Sequence, residues 1–398
     1  MNDVQGIRRR TWAEIDLDKA ERNYRTVREA VGERVKICCV IKANAYGHGA
    51  VQMAAFYQRM RADYLAVSNI EEALQLRKNH ITLPILVLGY TPEECAGILA
   101  HHGITQSVYS YEYGKKLAAC AQRLGVRVKI HVKLDTGMGR IGFLCRREEA
   151  NELEQAAEIC REPSLLAEGI FSHFASADES TDGDGFTAEQ LEHFLYGVSY
   201  LEQRGISFDI RHCANSAAIF DHSESHLDMV RAGIVLFGLK PSERLRNMPE
   251  LQPVMTLKSV ISHLKEIYPG ESVSYGRTFL ATRKTTVATV PIGYADGLWR
   301  VNGMNDCYMM VGERYAPIIG RICMDQLMLD VSEMDCHVGE VVTVFGADRV
   351  CSADTIAHRN GTINYEIVCA IGERVPRAFI LNGRIRDWQD SIYREDLN

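Results

Sequence analysis

In VKICCVIKANAYGHGA (residues 35–50) an apolar, largely β-branched run, ICCVI (37–41), gives way to chemistry. Lys42 closes the run, and Asn44, Tyr46, His48 and the glycines Gly47 and Gly49 follow at once. A run that is apolar at every position, not every second one, marks a strand buried on both faces, as in parallel sheets. A terminal ammonium has no use there unless something meets it. Seven more short runs follow: YLAVSN (64–69), ILVLGY (85–90), ITQSVY (104–109), VRVKIHVKLD (126–135), LAEGIFSHF (166–174), ISFDIRHCAN (206–215) and DMVRAGI (228–234). Between them lie stretches such as IEEALQLRKN (70–79) and AEQLEHFLYGVSYLEQRG (188–205), apolar at helical spacing. Strands alternating with helices imply parallel βα units. Eight of them predict an α/β fold with a closed (β/α)8 TIM-type barrel, not an open sheet.

After about Arg246 the texture changes. KTTVATVPIGY (284–294), CYMMVGERYAPIIGRICMDQLMLDV (307–331) and GEVVTVFG (339–346) read as strands parted by Gly, Asp and Asn turns, with few helices besides ADTIAHRN (353–360). We expect a barrel over residues 1–245 and a C-terminal, mostly β domain over 246–398, joined near PSERLRNMPELQP (241–253), with the first residues pairing with the β domain. The chain has 398 residues, 46% of them hydrophobic, enough for two sizeable cores. A formal net charge of -7 without a long like-charge block argues against a nucleic-acid or anionic-membrane surface. No run approaches the roughly 20 apolar residues of a membrane span, and MNDVQGIRRRTWAEIDL lacks the apolar centre of a signal peptide. Twelve scattered cysteines without a CxxC pair suit free thiols in a reducing cytoplasm.

The polar residues sit in register. Lys42 ends the first run; Lys133 and Asp135 end the fifth, with Arg140 just beyond; His173 is near the end of the sixth; Asn215 and Ser216 follow the seventh; Arg231 lies in the eighth, before Gly233 and Ile234. In such barrels the site is built at the C-terminal ends of the strands, and the last two loops often bind phosphate. Ser216 would offer a hydroxyl at the start of a helix, SAAIF, and Gly233 a close backbone approach. A lysine across the mouth could pair with a phosphate or carry a carbonyl as a Schiff base; pyridoxal phosphate has both groups. GMGRIG (137–142) matches the dinucleotide fingerprint, with Glu158 as its acid, but it comes fifth in a barrel series and holds Arg140, better suited to a substrate carboxylate. Tyr275 in SYG (274–276) and the cluster GRICMDQ (320–326) stand out in the β domain, although tyrosine is common in β cores. His101 with His102, and His222 with His226, read as surface residues, and no spacing indicates a metal.

Taken in order, VIKANAYGHG (40–49), KLDTGMGRIG (133–142), FSHFASAD (171–178), HCANSAA (212–218), RAGIVLFGL (231–239), VSYGRTF (273–279), PIGYADG (291–297), GRICMDQ (320–326), NYEI (364–367) and ERVPR (373–377) resemble the alanine racemase family, pyridoxal-phosphate enzymes with a barrel and a β domain. Ala232 and Phe237 depart from it, standing where the family often has proline and tyrosine. The resemblance implies that Lys42 binds the cofactor aldehyde and is one catalytic base, and that Tyr275 is the other, on the opposite face. It gives Tyr46, Asn215, Ser216, Gly233, Ile234 and Tyr365 to the cofactor, the phosphate above all, and Arg231 to the pyridine nitrogen. Arg140 and the Met324 backbone would hold the substrate carboxylate, while His173 and His212 support Tyr275 and Arg231. Lys133 matches a lysine carbamylated in many members, and Cys323, Asp325 and Tyr294 would support the site. The resemblance further implies a head-to-tail homodimer in which Tyr275 and Met324 reach the partner's barrel, and L- and D-alanine as substrates. Three alternatives are weighed against it: a serine or broad-range racemase, an amino-acid decarboxylase, and a non-catalytic carrier of the cofactor, which the β domain and Tyr275 argue against.

Overall fold

The computed structural model of the protein describes residues 10–146, 150–179 and 185–392. Eight parallel strands form the barrel: Lys36–Val40, Tyr64–Val67, Ile85–Val87, Ile104–Val108, Val128–Asp135, Leu165–Phe171, Ile210–His212 and Met229–Ala232. The first seven pair in parallel in succession, and the eighth pairs in parallel with the first, with Arg231 opposite Cys38. The seventh and eighth strands touch through Asp228 N–H to Arg211 O at 3.1 Å and Arg231 N–H to Ala214 O at 2.9 Å. Arg211 Nε on Asp228 Oδ2 at 2.7 Å reinforces that seam. The strands are shorter than the apolar runs: the first stops at Val40 and the seventh spans only Ile210–His212. Residues that follow the strands, such as Lys42, Ser68 and Asn215, turn away to build the mouth.

Strand burial separates the two halves of the chain. Ile37–Val40 and Tyr64–Val67 are buried at every residue, because barrel strands face side chains inside and helices outside. In the β domain Met255–Val260 alternates buried and half-buried residues, so one face is covered and the other is wetter. That strand sits in a seven-stranded sheet in the order Arg314–Pro317, Tyr308–Val311, Val341–Phe345, Met255–Val260, Thr11–Asp16, Arg377–Leu381, Arg384–Gln389. Thr11–Asp16 lies antiparallel to Met255–Val260 and parallel to Arg377–Leu381, so this strand, which precedes the barrel in sequence, belongs to the β domain's sheet. A second sheet joins His263–Ile267, Thr285–Val290 and Leu327–Asp330.

Arg377 ties the halves together. It is 2% exposed and donates to the carbonyls of Gly372, Val375 and Ile371 at 2.5–2.6 Å and to Gly47 O in the barrel at 3.1 Å. A buried guanidinium is costly unless its donors are filled, and here the backbone fills them.

Candidate active site

A cleft of ≈ 550 Å3 opens at the C-terminal ends of the strands, lined by Lys42, Tyr46, Lys133, Arg140, His173, Asn215, Ser216, Arg231, Gly233, Ile234 and Tyr365. Its described lining carries two lysines and two arginines against one carboxylate, Asp178. Such a surplus of cations calls for an anionic occupant.

Lys42 opens an unusual turn. Ala43, Asn44, Ala45 and Tyr46 all have φ between 51° and 54°, four successive left-handed residues without a glycine among them. Each such residue costs roughly 1–2 kcal/mol, so outside contacts must hold the turn. Gly47 N–H closes it on Ala43 O at 3.0 Å. Asn44 Oδ1 accepts from Ala50 N–H at 2.8 Å, and His48 Nδ1 meets the carbonyls of Tyr46 and Ala45 at 2.9 and 3.1 Å. His48 is fully buried and stacks on Phe237, with ring centres 4.4 Å apart. Burial pulls its pKa down to about 4, so it is neutral, and Nδ1 carries the proton that the two carbonyls accept. Gly47 has φ 82° and packs so closely that a Cβ there would lie 2.1 Å from Val368 O. Burial first, then Arg140, lowers the Lys42 amine from its ordinary value, which favours the neutral, nucleophilic form.

Arg231 is the hub of the floor. Four of its N–H groups reach His212 Nδ1 at 2.7 Å, His212 O at 3.1 Å, Ser172 O at 2.8 Å, Cys213 O at 2.9 Å and His173 Nδ1 at 3.1 Å. No partner for its Nε–H occurs among the described residues, and Arg231 lines the cleft. Arginine can only donate, so both Nδ1 atoms accept and both histidines are protonated on Nε2. His212 Nε2 then donates to His131 Nδ1 at 2.9 Å. His131 Nε2 stands 3.5 Å from Glu168 Oε2, too poorly aligned for a hydrogen bond. Burial and then Arg231 hold His173 and His212 well below the ordinary histidine range. Phe171 is a shared platform: it stacks on His212 at 4.8 Å and lies 5.4 Å from the Arg231 guanidinium and 5.5 Å from Lys133 Nζ. Burial, then Arg140 and Arg231, brings the Lys133 amine down to about 7.

The far end of the cleft has the form of an anion cradle. Gly233 N–H donates to Ser216 Oγ at 2.9 Å, and a Cβ on Gly233 would lie 2.8 Å from Tyr46 Oη. The Tyr46 and Tyr365 rings meet edge to face at 6.0 Å. These residues fit a phosphate: the hydroxyls of Tyr46, Ser216 and Tyr365, and room that only glycine leaves. The expected helix dipole is not part of the cradle. The helix is only Ala218–Asp221, and Asn215 Oδ1 takes the N–H groups of Ala217 and Ala218 at 3.1 Å each. Asn215 therefore shapes the loop.

The expected site residues of the β domain gather elsewhere. Tyr275 is 65% exposed, Met324 52% and Tyr294 41%, and none lines the cleft. They do form one patch: Tyr294 N–H donates to Cys323 O at 3.1 Å, Ser274 Oγ lies 3.5 Å from Cys323 Sγ, and Arg374 holds Asp325 at 2.8 Å. GMGRIG is a loop pinned by Asp135 Oδ1 on Gly137 and Gly139 N–H, at 3.0 and 3.1 Å, and leads into the short strand Phe143–Leu144 rather than a dinucleotide helix. Glu158 lies away from the cleft, bonded to Tyr111. His226, expected on the surface, is buried with Nε2 on Ile219 O at 2.8 Å. The sequence reading missed Glu72, Arg377 and His131. Glu72 had a signal: Asn69 stands three residues before it, the spacing of a helix N-terminus.

Residues 15–241 match the family model described as the N-terminal domain of alanine racemase, and residues 254–379 match its C-terminal domain. An alanine racemase of Desulfovibrio desulfuricans is 45% identical over 373 residues, 94% of this chain and 98% of that protein. Alanine racemase 2 of Caldanaerobacter subterraneus subsp. tengcongensis is 44% identical over 382 residues, 95% of this chain and 97% of its own. The structure of alanine racemase from Clostridium difficile aligns with a TM-score of 0.93 at 41% identity, covering 98% of this chain and 100% of that one. That from Bacillus anthracis, with bound L-Ala-P, gives 0.90 at 35% identity, covering 97% and 98%. With two family domains in order and such identity along almost its whole length, this chain belongs to the alanine racemase family of isomerases.

Proposed function

We propose that the protein interconverts L- and D-alanine with pyridoxal phosphate and two opposed bases, as a cytoplasmic head-to-tail homodimer that supplies D-alanine for peptidoglycan. The observation that carries this reading is a cleft lined by two arginines and two lysines against one carboxylate, with Lys42 just past the end of the first strand, facing a glycine-made anion cradle. Tyr46, Ser216, Gly233, Ile234 and Tyr365 would hold the phosphate, with Asn215 fixing their loop, and Lys42 the aldehyde. Bound there, the cofactor supplies an electron sink that acidifies the substrate's α-carbon.

The chain's own residues do the rest. Arg231 would meet the ring nitrogen through Nε–H, and because arginine keeps its proton it gives none to the ring. That restrains the electron sink and disfavours side reactions. Arg140 and the Met324 backbone would bind the alanine carboxylate, and Lys133, as a carbamate, would orient Arg140. A neutral lysine amine is what carbamylation needs, and the Lys133 value near 7 supplies it. Lys42 moves a proton on one face. Tyr275 of the partner subunit moves it on the other, steadied by His173 Nε2–H, while Cys323, Asp325 and Tyr294 brace the strand ends around it. The bulk of Tyr365 suits a methyl side chain. All twelve cysteines are free thiols, which suits a reducing compartment, and no described helix is long and apolar enough to cross a membrane.

The test is a visible spectrum of the purified protein, followed by L-alanine in deuterated water. Bound cofactor absorbance that Lys42→Ala removes together with racemisation, and α-deuterium in both enantiomers, are the expected results. An absorbance untouched by Lys42→Ala, or faster turnover of L-serine than L-alanine, would overturn the reading.

A further inference from the structure

The left-handed turn after Lys42 is bolted down from a neighbouring βα unit by one carboxylate. Glu72 lies in the first turn of helix Ile70–Lys78, which follows the second barrel strand. Its Oε1 accepts from Ala43 N–H at 2.6 Å, and its Oε2 from Ser68 N–H at 2.7 Å. Ala43 is the first left-handed residue and directly follows Lys42. Ser68 lines the same cleft. Asn69 Oδ1 accepts from Glu72 N–H at 3.0 Å, so the carboxylate projects from a capped helix start. The bridge needs two acceptor oxygens and no donor, which only a carboxylate offers; a glutamine would turn an NH2 group toward one of the two N–H donors.

We propose that Glu72 is a positioning residue for the reaction: it holds the strained turn in the one arrangement that places Lys42 at the cleft. The proposal rests on Lys42 being the cofactor-bearing lysine. A helix cap alone would be indifferent to residue 43, which lies in a different unit. A turn anchor is not indifferent, because glycine adopts positive φ without strain and needs less holding. Ala43 is exposed, so removing its methyl group costs little packing.

The experiment compares the holoenzymes of wild type, Glu72→Gln, Ala43→Gly and the double variant. The readouts are the dissociation constant for pyridoxal phosphate, and kcat and KM for L-alanine. Glu72→Gln is expected to weaken cofactor binding and lower kcat about tenfold, the scale of one strained left-handed residue, with KM for alanine nearly unchanged. The double variant is expected to regain most of both losses, measured against Ala43→Gly alone. A Glu72→Gln enzyme within about twofold of wild type, or a double variant no better than Glu72→Gln, overturns the proposal. Should Glu72→Gln fail to fold, Glu72→Asp takes its place: its shorter stem cannot span both N–H groups, and the same rescue by glycine is required. Failure of the Lys42 assignment itself would look different, as a wild-type cofactor absorbance that Lys42→Ala leaves intact.

Discussion

Arg231 and its two histidines show how a single obligate donor sets the protonation of its neighbours. Because both Nδ1 atoms must accept, His173 and His212 stay neutral with their protons on Nε2. Burial is the leading cause for all three, and His48 is neutral without Arg231 beside it. All three tie stability to pH. The unfolded chain binds protons at these sites below about pH 6.5, while folded His48 resists until about pH 4. The unfolded state thus holds more protons across that window, so stability is complete above it and falls as the pH drops through it. His48 alone accounts for on the order of 3 kcal/mol, and His173 and His212 act in the same direction. Denaturant unfolding between pH 7 and 4 should show this loss; equal stability at pH 7 and pH 5 would contradict it. Lys42, Arg140 and Arg231 were legible in the sequence because charged types stand at the ends of apolar runs. His131 was not, since a histidine in a strand looks ordinary until its partners are known; for Glu72 the spacing after Asn69 marked a helix start but not its reach to the Lys42 turn.

The eight-strand alternation was readable from apolar runs, yet the runs overstate the strands, because residues that turn to line the mouth are apolar too. The left-handed turn at Ala43–Tyr46 left no trace in the sequence. Positive φ is normally read from glycine, and these four residues are Ala, Asn, Ala and Tyr. Its conformation comes from Glu72, Asn44, His48 and Arg377, which lie from two to over three hundred residues away from it along the chain or inside it. Gly47, by contrast, is required where it stands. A methyl there would collide with Val368 O at 2.1 Å and sit at φ 82°. Gly47→Ala should therefore push the helix Asn364–Cys369, with Tyr365, away from Tyr46, costing about 2–4 kcal/mol and weakening cofactor binding. Calorimetry and cofactor titration check this; a wild-type melting temperature and affinity would contradict it.

Across the whole molecule, the β domain meets the barrel within one chain and also carries an exposed patch that touches no part of its own cleft. Within one chain, Thr11–Asp16 and Arg377 fix the two halves to each other. Yet Tyr275 and Met324 stay exposed, outside the cleft of their own chain. Exposed aromatic and thioether side chains on one patch are usual at protein interfaces. A sequence cannot separate a residue that closes its own site from one that closes a copy's, because both leave the same pattern. The central claim is that each site takes Lys42 from one chain and Tyr275 from the other. Mixing Lys42→Ala and Tyr275→Phe subunits, unfolded and refolded together, tests this most directly. Head-to-tail pairing leaves one intact site in every mixed dimer, so racemase activity should rise to about a quarter of wild type from two nearly inactive parents. A mixture no more active than its parents would contradict the shared site.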